Sequence, residues 1–219
     1  TKIYTPGTAN ITIPKGFHSG QGYVKGDANL VAGNIAKGKS IFGVNGSFIN
    51  NIVVGVQQGR GQASSSTNRL VVNHSAVDTS RVLYIVEPEY FDTEYTIQCY
   101  IDVDAITPNS FEIVFGGYAD RLKKVVWKIF EFDAQIVKSL QRGNVQSNYK
   151  NPYYIDVAIS AVNRNKVIYI SQYATTRYYD SSSDGKIYGA ASMFTSDTNL
   201  RFYGYDTPAH AFWQVLEFY

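Results

Sequence analysis

Cysteine, charge and long apolar runs are all scarce in this sequence. One cysteine, Cys99, stands among 219 residues, so an intrachain disulfide framework is excluded. Its setting, TIQCYIDV, reads as a strand, and the thiol is expected to be a buried small hydrophobe. Charged residues make up 17% of the chain, fewer than the usual quarter. The 20 Lys+Arg and 18 Asp+Glu leave a net charge of +2 with no basic block, so no nucleic-acid partner is expected. No apolar run approaches the roughly 18 residues of a membrane span, and no signal peptide is seen, so no membrane insertion is expected. His18, His74 and His210 stand apart from one another and from Cys99, which speaks against a zinc site. No metal and no cofactor are expected.

Aromatic residues are plentiful instead, with 18 Tyr, 12 Phe and 2 Trp. A hydrophobic content of 44% at low net charge excludes disorder. Glycine gathers near the start, at Gly7, Gly16, Gly20, Gly22, Gly26, Gly33, Gly38, Gly43 and Gly46. Within that zone Asp27 is placed to cap a short helix over Ala28–Lys37, with Leu30, Val31 and Ile35 on one side and Gly38 as terminator. Ile41 to Val44 then reads as a short strand broken by glycine. Such a zone has too little apolar surface to stand alone. A chain that begins at Thr1 and ends on an apolar strand at Tyr219 is expected to be the C-terminal fragment of something longer.

The remainder holds an internal repeat. SAVDTSRVLYI from Ser75 recurs as SAVNRNKVIYI from Ser160, an offset of 85. Upstream, VQQG at Val56–Gly59 recurs as LQRG at Leu140–Gly143; downstream, WKIFEF at Trp127–Phe132 recurs as WQVLEF at Trp213–Phe218. Three matches in one order at nearly one offset indicate a duplicated unit. Strands are expected at Arg69–Asn73, Val82–Val86, Thr96–Val103, Ser110–Phe115 and Val125–Phe132. In the second copy they are expected at Tyr154–Ser160, Lys166–Tyr173, Lys186–Phe194, Leu200–Tyr205 and Ala211–Phe218. The predicted fold is all-β: two tandem antiparallel β-sandwich, lectin-like repeats over residues 51–133 and 134–219. A small Gly-rich α+β module over 1–50, a connector and trimerisation element, precedes them. In the last strand of each repeat both faces are largely apolar, so that strand is either central to a sandwich or covered by another subunit.

The stretch Thr5–Phe48 resembles a module that recurs in tail proteins of bacteriophages infecting Gram-positive bacteria. The matching residues are Ile13-Pro14-Lys15-Gly16, His18, Gly20, Gly22, Gly26, Leu30, Asn34-Ile35, Gly38, Ile41-Phe42-Gly43-Val44 and Gly46-Ser47-Phe48. The repeats themselves are similar to domains at the C-termini of such proteins. Val103–Phe115 and the segment around Ser192–Tyr203 resemble the strand-turn-strand of H-type lectins, six-stranded trimeric sandwiches that hold N-acetylgalactosamine between subunits. No sugar-contacting residue of that family aligns here one by one, so none is carried over. What the resemblances imply is a receptor-binding phage tail fibre protein on the virion, acting outside the cell. It would be homotrimeric, joined to other tail proteins through a preceding part of the chain, and attached to a host cell-wall or surface glycan.

No catalytic constellation stands out, and no enzyme is expected. Glu131 and Glu217 occupy equivalent strand positions in separate repeats, which suits a structural role better than a hydrolytic carboxylate pair. Asp102 and Asp104 share a strand face, as calcium ligands do, but also as a solvated face does. Sugar rings present apolar C–H faces that stack on aromatic side chains, while Asp, Asn and Arg fix their hydroxyls. Three clusters offer this chemistry. Arg177, Tyr178, Tyr179 and Asp180 form one; Tyr90 and Asp92, with Phe91 and Tyr95, form its counterpart in the first repeat. Tyr205, Asp206 and His210, with Tyr203, form the third. The alternatives to saccharide attachment are a structural tail or baseplate component without a ligand, and a polysaccharide-degrading tail enzyme.

Overall fold

The computed structural model describes residues 3–14, 16, 22–49, 51–63, 67–89, 98–116, 123–146, 154–175, 191–203 and 209–219. The chain divides into two compact units, Thr1–Ile52 and Val53–Tyr219.

The first unit is made of short pieces. Strands β1 (Ile11–Ile13) and β2 (Gly22–Val24) pair antiparallel, as do β3 (Ser40–Ile41) and β4 (Val44–Asn45). Phe42 and Gly43, both at positive φ, make the two-residue turn between β3 and β4. The helix expected over Ala28–Lys37 is absent: only Ala32–Asn34 winds, as a single 3-10 turn with no buried residue. Gly33 lies in its middle, and of the three apolar residues that suggested a helix face only Ile35 is buried. Asp27 bends the chain locally by accepting the backbone N–H of Asn29. No α-helix occurs among the described residues, so this module is β with turns rather than α+β.

The second unit contains the same six-stranded sandwich twice. The first repeat comprises β5 (Val53–Ala63), β6 (Arg69–Asn73), β7 (Val82–Pro88), β8 (Gln98–Asp102), β9 (Ser110–Gly116) and β10 (Lys123–Phe132). The second comprises β11 (Val137–Gln146), β12 (Tyr154–Ala158), β13 (Val167–Thr175), β14 (Ala191–Ser196), β15 (Asn199–Tyr203) and β16 (Ala209–Phe218). Each folds as two three-stranded antiparallel sheets, ordered β5-β10-β7 and β6-β9-β8, then β11-β16-β13 and β12-β15-β14. The last strand of each repeat is the central one of its sheet, which accounts for its two apolar faces.

Recurring residues hold each repeat together in the same way. Trp127 lies opposite Gly59 and Trp213 opposite Gly143. A Cβ on either glycine would stand 2.6 or 2.9 Å from the indole Cζ2, so only glycine lets the ring lie across the neighbouring strand. Gln57 donates to the Ser75 carbonyl at 3.0 Å and accepts its N–H at 2.8 Å; Gln141 does the same to Ser160 at 3.0 and 2.6 Å. Val77 and Val162 are buried two residues further on. Asp78 and Asn163 then cap a 3-10 turn. Their own N–H groups donate to Glu131 and Glu217. The shared signature is thus a packing frame.

Where the repeats differ, they meet. The outer face of sheet β11-β16-β13 covers the exposed edge of the first sandwich. Gln214, wholly buried, accepts the Tyr84 N–H and donates to its carbonyl. Arg142 donates to the carbonyls of Thr79 and Val82, and Gln172 to that of Val86. Asn144 clasps Ile101 and Val103. Phe212 enters the first repeat's core beside Tyr84 and Phe111. Leu83, Phe132 and Leu216 form an apolar seam with Leu140 and Ile170 against it. Backbone groups of an edge strand that would otherwise lack partners are satisfied by amide and guanidinium side chains of the other repeat.

Candidate ligand-binding end of the repeats

Strand register sorts the connections of each sandwich by end. In the first repeat Ala63 pairs with Lys123 and Pro88 with Val125, while Arg69 pairs with Val114 and Gln98 with Gly116. The connections between β5 and β6, β7 and β8, and β9 and β10 therefore leave and return at one end. In the second repeat Gln146 and Ala174 pair with His210, and Tyr154 and Ala191 with Tyr203, so the strand ends that the three corresponding connections join lie together. The opposite end carries tight hydrogen-bonded turns, among them those in which Asp78, Asp102 and Asn163 accept the N–H two residues ahead.

Most sequence-predicted site residues fall on these grouped connections. Tyr90, Asp92, Arg177, Tyr178, Tyr179, Asp180, Tyr205 and Asp206 lie outside the described residues. Tyr90 and Asp92 belong to the β7–β8 connection, and Arg177 to Asp180 to the equivalent β13–β14 connection. Tyr205 and Asp206 join β15 to β16.

His210 and Tyr203, grouped in the sequence, are separated by the fold. His210 stands on the interrepeat face of its sheet and stacks on Tyr100, ring centroids 5.4 Å apart and planes 6° from parallel. Burial there lowers its pKa. Tyr203 lies on the outer face of the other sheet.

At that outer face the structure assembles a group that sequence reading missed. Tyr154 and Tyr203 are register partners, rings 6.1 Å apart. The Arg201 guanidinium lies 3.8 Å above the Tyr154 ring and donates to both Asp156 oxygens at 2.8 Å. Arg201 holds the Asp156 carboxyl below the usual carboxylate range, assisted by Asn199 at 3.1 Å. The Tyr203 hydroxyl donates to Met193 Sδ. Two aromatic rings and a fixed guanidinium–carboxylate fork thus border the end where the tyrosine-bearing connections start. In the first repeat Arg69 replaces Tyr154 and bridges Asp102 and Glu112 instead. The signal available in sequence was alternation: Tyr154 and Asp156 share one face of a strand.

The remaining carboxylates are held by contacts within the fold. Glu217 accepts Asn163 N–H, Lys138 and Ser139, with its carboxyl pKa lowered first by the backbone donor. Glu131 pairs with Arg81 at 2.7 Å. Asp102 is held by Arg69, and no group of three metal-binding side chains occurs among the described residues. At the turn end an open depression of about 800 Å³ is lined by Lys138, Asn163, Arg164, Asn165, Asp197 and Glu217. Its charges are paired internally, Lys138 with Glu217 and Arg164 with Asp197. Compared with known proteins, the chain matches no family model, no curated protein and no solved structure.

Proposed function

We propose that this chain is the receptor-binding part of a bacteriophage tail fibre. It attaches to host surface saccharide at the connection-bearing end of its second repeat, and it works in several copies on the virion, three in the reading offered here. What supports this is that the strands joined by the Arg177–Asp180 and Tyr205–Asp206 connections end beside Tyr154, Tyr203 and Arg201. Aromatic rings bordered by fixed polar groups suit the two-sided chemistry of a sugar. Weak individual sites gain strength from repetition on one particle. The test is retention of the full chain on purified Gram-positive cell-wall polysaccharide, with Tyr178→Ala/Tyr179→Ala and Tyr203→Ala as variants. Binding lost in these variants and kept in Tyr90→Ala supports the reading; no retention of the unmodified chain overturns it.

The purely structural reading, a tail or baseplate spacer, has its own support. Gln57, Gly59, Ser75, Val77, Trp127 and Glu131 of the shared signature, with their counterparts from Gln141 to Glu217, serve packing. It takes the loop tyrosines as interface core between copies, and expects no retention on any wall polysaccharide and weakened assembly in the tyrosine variants.

A further inference from the structure

The contact between the two repeats is heterologous: the outer sheet face of one covers the edge of the other. A contact of that kind leaves one unused face and one unused edge. The unused face is that of β5-β10-β7 in the first repeat. There Val56 occupies the position of Leu140 yet is 57% exposed, and Val54 beside it is 47% exposed. The corresponding edge of the second repeat is that of β13, which packs against β8 of the first repeat but leaves Ile168 partly exposed. There Ile168 occupies the position of Leu83; Leu83 is 2% exposed under the other repeat, and Ile168 is 36% exposed. Among the described residues no side chain reaches the Tyr169 backbone as Gln214 reaches that of Tyr84.

We propose that a second copy of this chain seats the Ile168 edge of its second repeat on the Val56 face of the first repeat. The contact that Leu83 and Leu140 make within one chain is thereby repeated between chains. The occupant follows from continuity. The vacant face and edge hold, by the offset of the repeats, the positions of two surfaces that already fit each other; Ile85 stands at the position of Ile170, and Phe130, at that of Leu216, already packs beside Leu83 at the border of the vacant face. Donors for the edge carbonyls are present on the vacant face: Gln58 stands where Arg142 does, and Lys128 where Gln214 does. Lys128 donates but cannot accept an N–H, so the contact between chains makes fewer hydrogen bonds than the one within them. It also lacks the high effective concentration of a covalent tether. The inference rests on the multicopy part of the proposed function and is independent of any glycan.

The test uses full-length chains carrying Val56→Cys or Ile168→Cys, one of them tagged, and a short bismaleimide. Cys99 is buried and its thiol pKa is pushed up to about 12, so the unmodified chain serves as the unreactive control. Light scattering of the unmodified chain is expected to give a multiple of the single-chain mass. The mixed variants are expected to yield a tagged–untagged cross-linked pair joining residues 56 and 168, and neither variant alone to cross-link to itself. A single-chain mass overturns both the inference and the multicopy reading. A multichain mass without the 56–168 cross-link, or with 56–56 pairs instead, overturns the inference alone: copies are then joined elsewhere, or the Val56 face is covered by another segment.

Discussion

The side-chain amide of Gln214 pairs with both backbone groups of Tyr84, accepting its N–H at 3.1 Å and donating to its carbonyl at 2.7 Å, 130 residues away in sequence. The pair is fully buried, so removing the amide leaves two backbone groups without partners. Gln214→Leu is expected to cost about 2–6 kcal/mol, from about 1–3 kcal/mol for each of the two orphaned buried groups. Lys128→Leu, at the same position of the first repeat, is expected to change the stability of the single chain by less than about 1 kcal/mol, because no clasp within the chain depends on it. Urea denaturation of both variants measures the contrast.

Glycine beneath tryptophan gives a second expectation. Gly59→Ala and Gly143→Ala place a methyl inside the contact distance of an indole, and each is expected to destabilise by about 1–3 kcal/mol through overpacking. The loss is coupled to the ring. In Trp127→Val the Gly59→Ala change is expected to cost far less, and a double-mutant cycle in thermal unfolding reads that non-additivity.

Stability is expected to fall on acidification in two windows. Burial lowers the pKa of His210 below its ordinary 6.5. A base of this kind takes up its proton more readily when unfolded, so its contribution is intact above the unfolded value and is lost as pH falls beneath it. Asp78, Asp156 and Glu217 have lowered carboxyl pKa values, so their contributions persist above the ordinary carboxylate range and fade as pH drops through the folded values. Melting temperatures from pH 8 to 5 are expected to decline in the unmodified chain and to flatten in His210→Asn. Below that range both proteins are expected to fall together.

Cys99 is expected to resist maleimide in the folded protein and to react fully in denaturant, since burial both shields its thiol and pushes the pKa up to about 12. Mass spectrometry before and after unfolding checks this, and partial labelling of the native chain would contradict it.

Much of the sandwich was legible because its strands are rich in Val, Ile, Tyr and Phe and its duplication is written in SAV, QxG and WxxxEF. The first strand of each repeat was not. Gly55, Gly59 and Gly61 interrupt β5, and the reason two of them are there lies on other strands: Trp127 rests against Gly59 and the Leu70 side chain against Gly61. The helix over 28–37 was misread because apolar spacing imitated a face of which the fold buries only Ile35. The contact between repeats hid in their divergence. Lys128, Arg60 and Glu87 correspond to Gln214, Asn144 and Gln172, three charges exchanged for amides on one face, against the single reverse exchange of Gln58 for Arg142. Amides enter a dry contact more cheaply than ions do, so that exchange was a readable trace of burial. The outer-face fork of Asp156 and Arg201 needed strand register, which one sequence does not supply.

The sorting of connections by end has an evolutionary consequence. The indole-on-glycine and amide-on-serine contacts are made by strands and by the tight turns of the far end. Loops at the near end are therefore free to change length and chemistry while the frame stays as it is, and the two copies within one molecule can be tuned separately. A lineage meeting new surfaces has in this frame a place to accumulate variation at little risk to folding.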